Sequence, residues 1–322
     1  MATRYVRNTA ILAKIESTYG TDSTPTEGAN AILVSNVSIT PIVAQNVDRD
    51  LVRPYLGASE QLVGTLYVQM QFDVELAGSG AAGTAPAYGP ILRACGFVET
   101  VTASVRTEYN LTTPASDSVS IYYFLDGVKH VVRGCRGSVT LRLGAGDRPV
   151  LSCNFIGLDG GVSAATPSAL TLTSFKTPSV VSEANTGDLT FGATYTASTP
   201  TLTGGTAYPS LGIDIDLGNQ VNYNPLLGGE TVDISQRAVT GSISLDLTAA
   251  QEVTFMSNVK ANTTQSMGLM HGTAAGYKVM FYAPAVQLID PSIVDNNGKL
   301  LCGYKARFVP SAGNDELKLV VH

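Results

Sequence analysis

The stretch SVTLRLGAGDRPVLSCNFIGLDGG, residues 138–161, contains a hairpin pattern that occurs again later in the chain. Two segments alternate apolar and polar residues around a Gly-containing turn, and the second segment reaches Phe155 before a glycine-rich exit. Near the C-terminus, PAVQLIDPSIVDNNGKLLCGYKARFVPSAG, residues 284–313, repeats this order and reaches Phe308. Alternation with a period of two indicates a half-buried strand. Both stretches therefore predict β-hairpins, and their likeness predicts a duplicated β module.

The strongest single element is LYVQMQFDVEL, residues 66–76. Every second residue is apolar from Leu66 to Leu76, and the residues between are polar and net acidic. Such unbroken alternation predicts a strand with one buried and one solvated face. At about 3.3 Å per residue, the strand would be roughly 36 Å long.

Each half of the chain has the same predicted order: strand, long loop, long strand, short helix, strand and hairpin. The helices are predicted at about 90–95 and at 249–261, and Asp126-Gly127 predicts a hairpin turn. We expect an extended arm without regular elements at 1–30, a first β domain at 31–160, a Ser/Thr/Gly-rich connection at 161–207 and a second β domain at 208–322. The segment NYNPLLGGETVDISQ, residues 222–236, is predicted to be a loop.

Composition narrows the function classes. Charged residues make up only 14% of the 322 residues while apolar residues make up 44%, so we expect a large self-association interface. The formal net charge of −6 does not fit a nucleic-acid binder. No apolar run reaches the roughly 18 residues of a membrane helix, and the N-terminal apolar stretch is too short for a signal peptide. The four cysteines have no metal-site spacing and are predicted to be reduced core residues.

Motifs for catalysis or cofactor binding are not supported. The segment GSGAAG at 78–83 fits a dinucleotide-binding pattern, but Pro86, Gly89 and Pro90 follow where that site needs a helix, so a turn is predicted. None of the three histidines lies in a metal or protease motif, and no nucleophile elbow or phosphate-binding loop occurs. Asp214 and Asp216 share one face as paired catalytic carboxylates could, but an acidic sheet face is the favoured interpretation. We predict no cofactor, no metal and no enzyme activity.

Three stretches resemble the major tail tube proteins of long-tailed bacteriophages. They are AILAKIESTYGTDSTPTEGANAILVSNVSIT at 10–40, DRDLVRPYLGASEQLVG at 48–64 and NFIGLDGG at 154–161. The resemblance covers most of residues 5–160, and the second half is similar through its order of elements. It implies a mainly β chain of two tandem β-sandwich or barrel-like domains, each with a short flanking helix.

The resemblance also implies an assembly. Six such domains would form a ring around a channel, and rings would stack into a tube. Two domains per chain would make the ring a trimer. The alternative, one tube domain with an added immunoglobulin-like domain, would make it a hexamer. The implied partners are further copies of the chain, the tape measure and other tail proteins, and phage DNA in transit without specific binding. The implied location is the virion tail, after synthesis in the host cytoplasm and without membrane insertion.

Two sets of residues are assigned roles from this implied assembly. The first is a polar, largely acidic channel lining, which DNA would pass without sticking because carboxylates repel phosphates. Its members are Tyr67, Gln69, Gln71, Asp73, Glu75, Asp214, Asp216, Ser244 and Asp246, with Thr140 and Arg142 as further candidates. The second set would contact the next ring through a long loop, and its members are Asp48, Arg49, Arg53, Tyr55 and Glu60.

Two alternatives remain from the sequence. One is another structural tube component, such as a minor tail protein, a contractile-type tube subunit or a secretion-type tube subunit. The other is a β-rich enzyme or carbohydrate-binding protein. The second alternative would need aromatic platforms or converging carboxylates, yet the chain has no Trp and its ionisable residues are dispersed.

Overall fold

The computed structural model describes residues 3–322. Strands hold 52% of the residues and helices 6%, so the mainly β prediction is confirmed, with one short helix in each half. In the first half the elements are β1 Thr9–Ile15, β2 Ala31–Ile32, β3 Ser35–Val47, β4 Leu62–Glu75, α1 Gly89–Ala94, β5 Phe97–Thr102, β6 Arg106–Leu111, β7 Val119–Leu125, β8 Val128–Gly144 and β9 Val150–Ala164. Four short strands follow: β10 Leu189–Phe191, β11 Thr194–Thr196, β12 Thr201–Thr203 and β13 Thr206–Tyr208. The second half contains β14 Ser210–Asp216, β15 Gln220–Leu226, β16 Gly229–Gln236, β17 Thr240–Leu245, α2 Ala249–Lys260, β18 Thr264–His271, β19 Val279–Asn296, β20 Lys299–Phe308 and β21 Lys318–Val321.

Eight of these strands form one continuous antiparallel surface, which we call the main sheet. Its order is β3-β4-β9-β8-β14-β17-β20-β19. The first four strands come from the first half and the last four from the second. The two sets have the same connectivity. In chain order, the four strands of each set occupy the first, second, fourth and third positions of that set in the sheet. The duplicated hairpins of the sequence are therefore the β8–β9 and β19–β20 pairs.

The long strands β8 and β19 each belong to two layers. β8 pairs with β7 along Val128–Cys135 and with β14 along Thr140–Gly144, both on the edge opposite β9. β19 pairs with β18 over Val279–Gln287 and with β20 over Val286–Asn296. Beyond the main sheet, β7 continues to β1 and β2, and β18 continues to β10 and β13. Each half is thus a two-layer β structure folded about its longest strand.

The two halves share one hydrophobic core. The inward side chains of β8 and β14 meet those of α1, β19 and β21, so a single cluster contains Leu92, Leu141, Ile215, Phe281 and Leu319. The last strand, β21, pairs with β6 of the first half and β19 of the second. All four cysteines, which the sequence predicted to be reduced core residues, are buried free thiols. The boundaries placed at residues 30, 160 and 207 stay predictions.

The expectation that residues 1–30 hold no regular element is wrong for Thr9–Ile15. These residues form β1, which pairs with β7 along its whole length. Ala10 to Ala13 are all buried, because β1 has a core on each side, and this removes the alternation by which a strand is recognised. Glu16, at the end of β1, is also buried and accepts hydrogen bonds from Gly20 N (2.8 Å), Gly134 N (2.7 Å), Ser118 Oγ (2.7 Å) and Ser120 Oγ (2.8 Å). Met1 and Ala2 of the expected arm lie outside the described residues.

The prediction of a loop at 222–236 is also wrong. These residues belong to β15 and β16, which form a separate two-stranded hairpin between β14 and β17. Pro225, Gly228 and Gly229 near the tip hide the strand pattern. The other local predictions hold: α1 and α2 lie where the helices were expected, and the Asp126-Gly127 turn has φ angles of 40° and 85°.

Candidate functional site: a polar sheet face with two open edges

The outward face of the main sheet carries polar side chains on all eight strands. The register defines two lateral rows of side chains on this face. The first row is Ser35, Asp73, Ser152, Thr140, Asp216, Thr240, Arg307 and Gln287. The second row is Glu75, Val150, Arg142, Asp214, Ser242, Lys305 and Ile289. Side chains opposite each other in a ladder share one face, so the sheet joins residues from distant parts of the chain into one surface.

The residues that the sequence assigned to a channel lining lie on one side of this sheet. In β4 the assigned residues alternate with buried ones, as predicted. The assigned residues are Tyr67, Gln69, Gln71, Asp73 and Glu75, and the buried residues are Val68, Met70, Phe72 and Val74. Asp214 and Asp216 of β14 alternate with the buried Ile213 and Ile215, and Ser244 precedes the buried Leu245 in β17. Asp246 follows directly after β17.

Most of these carboxylates have partners. Glu75 pairs with Arg148 at 3.0 Å, and Asp246 pairs with Lys299 at 2.5 Å. Asp73 accepts a hydrogen bond from Asn36 Nδ2 at 2.7 Å. Asp216 accepts hydrogen bonds from Thr140 Oγ1 at 3.3 Å and from the Gly218 amide at 3.1 Å. These pairs are solvent-exposed, so each contributes little stability. The two ion pairs neutralise part of the negative charge of the face.

Two cations on this face were missed by the sequence analysis. Lys305 lies beside Ser242, and Arg307 lies beside Thr240. Together with Arg142, which lies beside Asp214, they make the face mixed in charge rather than uniformly acidic. The alternation of Lys305 and Arg307 with the buried Tyr304, Ala306 and Phe308 could have identified them, because it matches the alternation that identified β4.

One end of the polar face is covered by the β15–β16 hairpin. The ring of Tyr223 lies 5.1 Å from that of Tyr67, measured between centroids. Arg136 Nη1 donates to Val232 O and to Asp233 Oδ1, both at 2.8 Å. A hydrogen bond from Thr231 and the Arg136 guanidinium together lower the pKa of Asp233. Tyr67 is therefore partly shielded by the second half of the chain, whereas Gln71 and Asp73 lie beyond the hairpin contacts.

The loop between β3 and β4 is held by its own charges. Glu60 pairs with Arg49 and, at 3.4 Å, with Arg53, and Gln61 Nε2 donates to Asp48 Oδ1 at 2.5 Å. These contacts close the base of the loop. Tyr55 is exposed near its tip, as are the apolar residues Val52 and Leu56. Three of the five residues assigned to ring contacts, Arg49, Arg53 and Glu60, thus engage one another, and Asp48 engages Gln61. Tyr55 is free to contact another molecule.

Both ends of the main sheet are open strand edges. β3 pairs with β4 on one edge, and no strand of residues 3–322 pairs with the other. β19 carries β18 up to Gln287, and beyond that point the same edge has no partner within the described chain. Exposed edges of this length promote association with another strand unless they are covered.

The glycine-rich segment 78–83 packs against a loop of the second half. The Gly80 amide donates to Gly276 O at 2.8 Å, and a Cβ on Gly78 would lie 2.1 Å from the same oxygen. The next helix, α1, begins at Gly89, so the segment does not open a helix as a dinucleotide site requires. Within residues 3–322, no cluster of three or more His, Cys, Asp or Glu side chains is arranged for a metal ion, and no helix has the length and apolarity to span a membrane.

Comparison with known proteins gives one family. A family model described as "Phage tail tube protein" matches residues 7–301. The matched range begins just before β1 and ends within β20, so it includes both halves of the main sheet. No curated protein matches the chain.

Proposed function

This chain belongs to the phage tail tube protein family, and we propose that it self-assembles into stacked rings that form the tube of a virion tail. The tube would act as a passive conduit for DNA ejection, without catalysis or a cofactor. The observation that best supports this proposal is the main sheet itself. It is a continuous eight-stranded surface with one polar face and, within residues 3–322, an open strand edge at each end, a shape that further copies of the chain can extend.

The proposed ring is a trimer with pseudo-sixfold symmetry. The two sets of four strands have the same order, which supports two equivalent modules per chain. Three chains would then supply six modules. A hexameric ring, in which only one module of each chain lines the channel, is the alternative. It is less well supported because both sets belong to one uninterrupted sheet.

The polar face would line the channel. The proposed lining keeps the predicted residues of β4, β14 and β17 and adds Lys305 and Arg307. Lys305 pairs with Asp290 at 3.0 Å, and Arg142 lies beside Asp214. A cation that already has a carboxylate neighbour gains less from a phosphate, because fewer counterions are released when DNA arrives. A surface of balanced and hydrated charges would therefore let DNA slide without specific binding.

The tip of the β3–β4 loop would reach the adjacent ring. The internal pairs of Asp48, Arg49, Arg53 and Glu60 would hold the loop in shape, and Tyr55 with its exposed apolar neighbours would make the contact. The tape measure and other tail proteins would meet the tube during assembly, after synthesis of the chain in the host cytoplasm. Membership of the tail tube family supports these partners.

Electron microscopy of the expressed protein tests the proposal. We expect rings or tubes with a regular axial repeat, and a trimeric mass for the smallest ring by light scattering. Six chains in a ring would support the hexameric alternative. In purified virions, a tube subunit should be present in very many copies, whereas a few copies would indicate a minor tail component. Protein that stays monomeric at high concentration would contradict the proposal and favour a β-rich enzyme or binding protein.

A further inference from the structure

The junction between the two halves of the chain has a defined geometry. β8 is the last strand of the first set of four, and β14 is the first strand of the second set. They pair antiparallel over Thr140–Gly144 and Gly212–Asp216. The edge of β8 is used in two parts: its N-terminal part carries β7, and its C-terminal part carries β14.

The same two edges recur at the ends of the main sheet, where no strand of residues 3–322 pairs with them. β19 occupies the position of β8 in the second set, and its N-terminal part carries β18 as β8 carries β7. Its C-terminal part, residues 288–296, is open on that edge. β3 occupies the position of β14 in the first set, and its edge away from β4 is open. The main sheet therefore ends in the two complementary halves of the junction it contains.

We infer that β19 of one chain pairs with β3 of a second copy in the register of the internal β8–β14 junction. This inference rests on the proposed function, and it specifies which strands and which residues meet. The contact is head-to-tail, since each copy offers two different surfaces. Such an interface closes into a ring when the rotation between copies divides a full turn.

The register follows from Phe155 of β9 and Phe308 of β20, which hold equivalent positions in the two repeated hairpins. Three residues earlier, Ser152 pairs with Asp73 and Lys305 pairs with Ser242. In the neighbouring strands Asp73 pairs with Ser35 and Ser242 pairs with Asp214, so Ser35 is equivalent to Asp214.

The other side of the junction is found in the same way. Five residues before each phenylalanine, Val150 pairs with Arg142 and Gly303 pairs with Ser292. Ser292 is therefore equivalent to Arg142. Arg142 and Asp214 are directly opposite each other inside the chain, which places Ser292 opposite Ser35 of the next copy.

Burial supports a second part of this interface. The β15–β16 hairpin extends from the β14–β17 pair and lies on the first half of the chain, where Val232 is fully buried. The equivalent ribbon in the first half is the outer part of β3 and β4, on either side of the loop. Its apolar residues are mostly exposed within the described part of the chain: Ile42, Leu62 and Val63 are 61%, 53% and 64% exposed. A second copy would cover this ribbon as the first half covers β15–β16.

Cysteine cross-linking in the assembled protein tests the register. The double variant Ser35→Cys/Ser292→Cys should form covalent dimers and trimers on a non-reducing denaturing gel after mild oxidation or a short bis-maleimide. Each single variant should give no ladder, because the contact is head-to-tail. The native cysteines are buried, which keeps the background low. The matched control is Asn46→Cys/Ser292→Cys, whose β3 site lies eleven residues, or about 35 Å, along the strand.

A ladder from the control but not from Ser35→Cys/Ser292→Cys, or from either single variant, would overturn the register. Hydrogen exchange of the unmodified protein gives an independent measurement. Assembly should protect amides in residues 35–38 and 289–294, and unchanged exchange there in assembled rings would also overturn the inference. In both cases rings visible by electron microscopy would leave the proposed function intact. If neither rings nor tubes form, the proposed function fails and this inference fails with it.

Discussion

Arg142 on β8 lies directly opposite Asp214 on β14, at the position where the two halves of the chain become one sheet. The two residues are 72 positions apart in the sequence. Their opposition aligns the polar residues of the first four strands with those of the second four. The continuity of the polar face depends on this register, because a slip of one residue would turn the face of β14 inward.

The first prediction concerns Gly212, which allows this register. Its φ is 97°, and a Cβ there would lie 1.8 Å from Leu143 O across the junction. We expect Gly212→Ala to lower the free energy of unfolding by about 3 kcal/mol or more, measured by urea denaturation. Gly146→Ala is the control, since Gly146 has a φ of 88° but no atom within 4 Å of the added Cβ. That change should cost about 1 kcal/mol. Equal losses of stability in the two variants would show that the close approach of Gly212 to Leu143 O does not matter for stability.

The second prediction concerns Glu16. Its carboxylate accepts four hydrogen bonds, from Ser118 just before β7, Ser120 in β7, Gly134 in β8 and Gly20 in the segment after β1. Glu16→Ala would leave buried donors without acceptors, so we expect a loss of about 3 kcal/mol or more in urea denaturation. Glu27→Ala is the control, because Glu27 accepts one long hydrogen bond from the Ser168 amide at 3.3 Å near the surface. Similar unfolding midpoints for the two variants would contradict a structural role for the Glu16 network.

The third prediction tests the channel lining. Asp73→Lys/Glu75→Lys should change the free energy of unfolding by no more than about 1 kcal/mol, because both side chains lie on the solvated face. Tubes should still form, but DNA release from particles should slow, since added lysines bind phosphates. Asp73→Asn/Glu75→Gln, which adds no cation, should release DNA at closer to the normal rate. Normal tails with normal DNA release from the lysine variant would contradict the assignment of β4 to the channel wall.

The fourth prediction concerns pH. Glu108 on β6 is buried, bonds to Arg106 at 2.7 Å and Tyr195 at 2.6 Å, and lies 3.7 Å from Lys318 Nζ on β21. Burial by itself would raise the pKa of Glu108, but these hydrogen bonds and cations outweigh burial and lower it. A lowered pKa stabilises the fold above the unfolded-state pKa of about 4.3, and that contribution is lost as the pH falls through the folded-state pKa.

The pH effect can be isolated with Glu108→Gln. At pH 7 the variant should be less stable than the unsubstituted protein in urea denaturation. The difference should shrink as the pH is lowered below about 4.3, because a protonated carboxyl resembles the amide. A difference that stays constant between these pH values would show that the charge of Glu108 contributes no stability.

The sequence predicted local features well because their causes are local. Strand β4, the two helices and the β7–β8 turn follow from alternation, end residues and glycine placement. The polar face of β4 followed from the same alternation. Failures occurred where a neighbour changed the pattern. β1 is buried on both sides and shows no alternation, and β15–β16 forms around Pro225 and Gly228 because it rests on the first half of the chain.

The order of strands along the chain, their solvated faces and the existence of two similar halves were decided by the sequence, since periodicity and turn residues act within a few positions. The tertiary structure decided which strands are neighbours: β14 beside β8, β21 between β6 and β19, and β3 and the end of β19 left open. Backbone hydrogen bonds are alike in every strand, so they do not encode a partner. The partner is selected by packing of the shared core, where side chains distant in sequence meet.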